Sequence, residues 1–241
     1  LDPVSERLES HVVADQVELI DASPHFGLLS LQGPKTADAL ASLGLALPGE
    51  PFAHAKSPLD GLGEVYVMNN GRYGTAGCDL YISTEHLGEA AARLAKAVEG
   101  QGGRLAGWQA TEIARVEAGI PRFGIDMDNK TLPPEAGLET RAISYTKGCY
   151  IGQEIIARIR TYGRVNRTLV GYRLEADLAP GTQLTDDSGK TVGTLTSVIE
   201  SPRFGPIALG LAKRGSETSG PVLTSREPVQ GQATVAEIPF R

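Results

Sequence analysis

The stretch "ATEIARVEAGIPRFGIDMD", residues 110–128, divides the chain in two. Ile113, Val116 and Ile120 recur at i, i+3 and i+7, the spacing of a helix with one buried face, and the run reads as a helix from about Trp108 to Ala118. The segment that follows, residues 119–148, is broken by glycine and proline and reads as one long loop. A loop that long inside a compact domain is usually functional or disordered. Its place between a helix and a cysteine-bearing motif favours function.

Upstream of this stretch, strands and helices are mixed. "HFGLLSLQGPKTADALASLG" reads as a strand, a turn at Gly33-Pro34 and a helix that Gly44 ends. "GEVYVMNNGRYGTAGCDLYIS" reads as two strands around Asn69-Asn70-Gly71, with Cys78, Leu80 and Ile82 alternating onto one face. Cys78 therefore reads as a small core residue. "STEHLGEAAARLAKAVEGQGG" is a helix with Leu87, Ala91, Leu94 and Val98 on one stripe. Downstream, from about Thr168, "RTLVGYRL", "TVGTLTSVIE", "IALGLAKR" and "QATVAEI" are strand-like runs separated by turn residues, "DDSGK" among them. The fold class expected is α+β, followed by a small antiparallel β-barrel or sandwich.

The 241 residues suffice for one or two domains. No apolar run approaches the ~18 residues that span a membrane, and no basic-then-apolar leader is present. Two cysteines, Cys78 and Cys149, are too few for a disulfide framework, so a reducing cytosol is the expected location. The chain starts at Leu1, which is not read as a natural boundary. His11, His25, His54 and His86 lie far apart without metal-ligand spacing, so no metal site is expected. Neither a G-x-S-x-G element nor a phosphate loop occurs.

A formal net charge of −6 argues against a general nucleic-acid binder, and aromatic support for stacking is thin. The distribution is uneven. Arg141, Lys147, Arg158, Arg160, Arg164, Arg167 and Arg173 face a single acid, Glu154, so this segment carries +6 and the rest −12. It reads either as a solvated basic face or as a local anion site.

Two residues stand out chemically. Glu117 lies at i+4 on the Ile113–Val116–Ile120 stripe. A carboxylate on an apolar face must be bonded, or it costs several kcal/mol. Its partner is either an arginine or amide of the fold, or a ligand with two adjacent N–H donors, such as a pterin or guanine edge. Cys149, in "SYTKGCYIGQEIIARIRTYGRV" (144–165), is expected just before a helix that starts near Gly152. Ile151, Ile155 and Ile159 form that helix's expected apolar stripe. Helix N-termini and nearby cations such as Lys147 favour thiolate over thiol. Cys149 reads as the more reactive cysteine, or alternatively as a free thiol in a structural turn.

The strings "RVEAGIPRFGIDMD", "LPPEAGL" and "KGCYIGQE" followed by "AR", with "LLSLQGP", resemble the YgfZ-type folate-binding proteins, relatives of the glycine-cleavage aminomethyltransferase (T-protein). The resemblance runs from about residue 20 to the end. It implies a pseudo-barrel of ferredoxin-like α+β units over residues 1–166, with tetrahydrofolate in its opening, and a C-terminal β-barrel over residues 167–241. It implies that Glu117 contacts the pterin, and that the motif Lys147, Gly148, Cys149, Tyr150, Gly152, Gln153 and Glu154 lies near the folate. Lys147, Tyr150 and Arg158 are the further folate-binding candidates, and Cys149 is the candidate catalytic or partner-contacting thiol. The implied role is a tetrahydrofolate-binding accessory to iron–sulfur enzymes, including tRNA-modifying ones, with client proteins as partners. The alternative is a tetrahydrofolate-dependent aminomethyltransferase or demethylase, for which Asp126 and Asp128 are the available loop acids. Two departures are visible. The family has a longer segment before "LLSLQGP", so the chain is truncated or its pocket more open. Asp79 is the nearest counterpart of the acids in the aminomethyltransferases' G-E-D-G-F-E pattern.

Overall fold

Leu31, Val65, Val67, Cys78, Leu80 and Ile82 line one face of a four-stranded sheet because strand side chains alternate, and all six are buried. The computed structural model describes residues 2–13, 16–163, 165–217, 222–225 and 229–241. Arg164, one of the basic residues read above, lies outside them. The chain divides into two compact units, Leu1–Leu105 and Ala106–Arg241.

In the first unit, β1 (Phe26–Gln32), β2 (His54–Leu59), β3 (Gly63–Asn69) and β4 (Gly77–Ser83) form an antiparallel sheet in the order β1-β4-β3-β2. α1 (Asp2–Glu9), α2 (Thr36–Ala41) and α3 (Leu87–Gly100) are its helices. Ala39 and Leu40 of α2, with Ala90 and Leu94 of α3, close the core over the sheet. Burial of Leu40 and Leu94 is worth about 1.5–3 kcal/mol each. Two elements leave little trace in the sequence. α1 buries no apolar stripe, since Val4 and Leu8 are exposed. β2 contains Pro58, which cannot donate to a ladder and is tolerated because β2 is an edge strand.

In the second unit, α4 (Trp108–Glu117), α5 (Glu139–Ala142) and α6 (Gln153–Tyr162) precede six strands: β5 (Arg167–Leu174), β6 (Gln183–Thr185), β7 (Thr191–Ser201), β8 (Gly205–Lys213), β9 (Val222–Ser225) and β10 (Gly231–Ala236). These close into an antiparallel barrel in the order β10-β5-β8-β7-β6-β9. Val170, Tyr172, Leu184, Leu195, Ala208 and Val235 belong to one core cluster. Val116 of α4, Leu169, Ile207, Leu209 and Phe240 form a second. Ile207, Ala208 and Leu209 are thus buried as a continuous run, the mark of a strand covered on both sides. The barrel strands begin at Arg167, while α4, α5 and α6 cluster with them rather than with the sheet. β6 and β9 are three and four residues long, too short for an alternation to register.

Candidate functional site

The three strings that singled out the chain's middle all lie in the second unit. α4 carries the first, and its Arg115 and Glu117 side chains turn inward. Arg115 is 5% exposed. All five of its N–H donors are used. Nε donates to Glu112, Nη1 to the Ile120 carbonyl (3.1 Å) and Asp126 Oδ2 (2.8 Å), and Nη2 to Glu112 Oε2 (2.8 Å) and Ser197 Oγ (2.7 Å). Asp126, 1% exposed, also accepts from the Arg122 backbone N–H (2.9 Å), Ser197 Oγ (2.7 Å) and Thr196 Oγ (2.5 Å). Arg122 pairs with Glu112 and stacks on Trp108. This network staples the loop after α4 to strand β7. Sequence reading missed it; the one local sign is the Glu112–Arg115 spacing of i, i+3.

Glu117 ends α4 and is also bonded by the barrel. Ser201 Oγ donates to its Oε1 at 2.6 Å, and Arg203 Nη1 reaches Oε2 at 3.4 Å. A carboxylate on this apolar stripe needs a partner, and the fold itself supplies a serine hydroxyl and an arginine. The grip is uneven, because Oε1 has a short bond whereas Oε2 has a long contact to an arginine whose side chain is 69% exposed. Gly119, at φ +70°, turns the chain out of α4, and a Cβ there would lie 2.6 Å from Ile238.

The "LPPEAGL" string anchors the other end of the loop. Glu135 is buried; its Oε2 accepts from Arg167 Nε (3.1 Å) and the Leu132 N–H (3.2 Å), and its carbonyl accepts from Leu169 N–H (2.8 Å). Asp128 is exposed and held by Lys130 N–H and Thr131. Of the two loop acids considered as bases, Asp126 is fully consumed and Asp128 closes a local turn.

Cys149 is exposed and both cysteines are free thiols. Gly152 caps α6 in the left-handed region at φ 89°, and the Gln153 side chain folds back to accept from Tyr150 N–H at 3.2 Å. Lys147 Nζ lies 4.7 Å from the centre of the Tyr150 ring, and Arg160 stacks on Tyr145 at 4.1 Å. The expected stripe of α6 is corrected here. Ile151 and Ile155 are 72% and 55% exposed, and the buried residue is Ile156. Ile155, Arg158, Ile159 and Tyr162 instead line a groove of about 580 Å³ with Leu132, Glu135, Val165 and Asn166. The "LPPEAGL" string therefore faces helix α6 across one concavity.

The first unit has its own features. Phe26, His54, Tyr66, Met68 and Tyr81 line a smaller aromatic cleft, with Phe26 and Tyr66 edge to face at 5.8 Å. Asp79 is wholly buried and bound by Arg72 through both oxygens (2.9 and 2.7 Å) and by Asn70 (2.7 Å). Burial pushes its carboxyl upward, but the bonds from Arg72, Asn70 and Ser30 outweigh that and hold it below the usual carboxylate range. Burial pushes the Cys78 thiol up to about 12. Among the described residues no group of three or more His, Cys, Asp or Glu side chains could hold a metal ion, and no helix is long and apolar enough to cross a membrane.

A mixed α/β unit and a closed six-stranded antiparallel barrel make this a GcvT-like fold. It matches a crystal structure of the glycine cleavage system aminomethyltransferase T from Bartonella henselae with a TM-score of 0.82 at 22% identity, over 100% of this chain and 66% of that one. Residues 2–147 match the family model described as the GCVT N-terminal domain, and the chain belongs to that family. It is 32% identical over 241 residues to a putative chloroplastic transferase of Arabidopsis thaliana, covering 98% of this chain and 54% of the relative. It is 30% identical over 241 residues to an aminomethyltransferase of Rubrobacter xylanophilus, covering 95% and 61%. The chain thus spans roughly half to two thirds of the length of these relatives.

Proposed function

We propose that the protein binds tetrahydrofolate and acts as a folate-dependent accessory of the YgfZ type, not as a glycine-cleavage aminomethyltransferase. Membership of the GCVT family supports the folate. The observation that carries the choice between binding and turnover is the state of the acids. Asp79 is locked by Arg72 and Asn70, and Asp126 by Arg115, Ser197 and Thr196, so neither is placed to move a proton. The "KGCYIGQE" string supports the YgfZ-type assignment and, with it, service to iron–sulfur enzymes and tRNA modification. The pseudo-barrel of ferredoxin-like units and the domain division at 166/167 belong to the same reading.

Glu117 meets the pterin through Oε2, where an N–H of the ligand replaces the long contact from exposed Arg203, while Oε1 keeps its bond from Ser201. Lys147, stacked on Tyr150, meets the anionic glutamate tail, and Cys149 stands exposed beside them in sequence as the partner-contacting thiol. Tetrahydrofolate titrated anaerobically into the protein should bind saturably. Glu117→Gln keeps the shape and an acceptor for Ser201 but removes the charge, and should weaken binding by about tenfold or more. No saturable binding overturns the folate reading; equal binding by wild type and variant overturns the role of Glu117.

The names of the relatives support a second reading, a tetrahydrofolate-dependent aminomethyl transferase. Sustained turnover with an aminomethyl-lipoyl carrier would establish it against the accessory role.

A further inference from the structure

The two groups that hold Glu117 hold it in different ways. Ser201 is buried, and its Oγ accepts from the backbone N–H groups of Arg203 and Phe204, both at 3.0 Å. A hydroxyl has one hydrogen and two lone pairs. Both lone pairs are taken, so the hydrogen is directed to Glu117 Oε1, where the bond is 2.6 Å. Ser201 cannot release Glu117 without losing its only acceptor in a buried place. That bond fixes the carboxylate and leaves Oε2 as the oxygen open to exchange.

Arg203 lies in the turn between β7 and β8, and its hold on Oε2 is loose. The contact is 3.4 Å, where a charge-assisted N–H···O bond is ordinarily about 2.7–2.9 Å. The guanidinium also lies 4.8 Å from the centre of the exposed-side Phe204 ring, a resting place that does not need the carboxylate. Arg173, the other cation over Phe204, donates to the Arg241 carbonyl at 3.0 Å and stacks on Phe240 as well, so it is tied to the chain's end.

We propose that Arg203 is a built-in competitor at Glu117, occupying the ligand's place until a ligand displaces it. This rests on the folate reading and adds a residue that sets the affinity. A guanidinium presents paired N–H donors to a carboxylate, and the pterin edge presents the same pair. Arginine and ligand therefore ask for the same acceptor, Oε2. An exposed ion pair is weak, so the closed state lowers the apparent affinity by only about two- to fivefold. Ser201 stays in place in both states and is the positioning residue.

The test titrates tetrahydrofolate anaerobically into the full chain as wild type, Arg203→Met, Glu117→Gln and the double variant. Methionine keeps an apolar stem beside Phe204 and removes the guanidinium. The Arg203 side chain is 69% exposed, so Arg203→Met should melt with the wild type. It should bind about two- to fivefold more tightly. In the Glu117→Gln background, where no charge holds the arginine, the same substitution should bring no gain. Equal or weaker binding by Arg203→Met, with the wild type binding, overturns the proposal and leaves the folate reading standing. An equal gain in both backgrounds also overturns it, since Arg203 would then act on the ligand without Glu117. No binding by either wild type or Arg203→Met removes the folate reading and this proposal with it.

Discussion

Helices α4 and α6 invert each other. α4 takes charged groups inside: Arg115 is buried, and the carboxylate of Glu117 is bonded to the end of β7. α6 leaves apolar groups outside: Ile151, Ile155 and Tyr162 are exposed. Both carry strings that mark the family resemblance, so the motif alone does not say what each residue does. The state of satisfaction does. A buried ion with every bond made is structure, because its desolvation has been offset within the fold. An exposed aliphatic line beside an unpaired cation is unfinished, and unfinished surface is where a partner gains most.

Breaking the α4 side of this contrast should have the largest effect. Arg115→Met removes the cation from between Asp126 and Glu112 and leaves a buried carboxylate uncompensated. It should destabilise the second unit by about 3–5 kcal/mol. Trp108, the chain's one tryptophan, sits at the start of α4 and reports the transition in urea. Unchanged stability would mean the network is ornamental.

The two thiols sharpen the contrast at the next level. Cys149 is exposed ahead of α6, whereas Cys78 is wholly buried and pushed up to about 12 by that burial. Maleimide at neutral pH should label Cys149 at least about 100-fold faster. Equal or reversed rates would place the "KGCYIGQE" string inside the fold. The smallest effect is expected from Ile155→Glu, which should shift stability by no more than about 0.5 kcal/mol. A loss of about 2 kcal/mol or more, the cost of a core change, would mean that α6 is covered on both faces.

Much of the architecture was legible. The alternation of Cys78, Leu80 and Ile82, the stripe of α3 and the turn-punctuated strands after Thr168 all announce themselves locally. The helix around Glu117 is legible in its periodicity, as is the need of this carboxylate for a partner. The partner itself was not legible, since Ser201 lies 84 residues away. The buried face of α6 is not legible because Ile155 and Ile156 are adjacent, and the stripe of three isoleucines masks the single one that packs. β2, β6 and β9 were missed because an edge proline and very short strands carry no period.

The sequence by itself determined most of the elements, the α+β-then-β order and membership of the GCVT family, because those depend on periodicity and on strings of neighbouring residues. Only the tertiary structure decided that Asp126 and Asp79 are spent on Arg115 and Arg72, and that an apolar face of α6 is left over. Whether a charge is free or an isoleucine is covered depends on atoms brought together from distant parts of the chain, and no local pattern encodes that meeting.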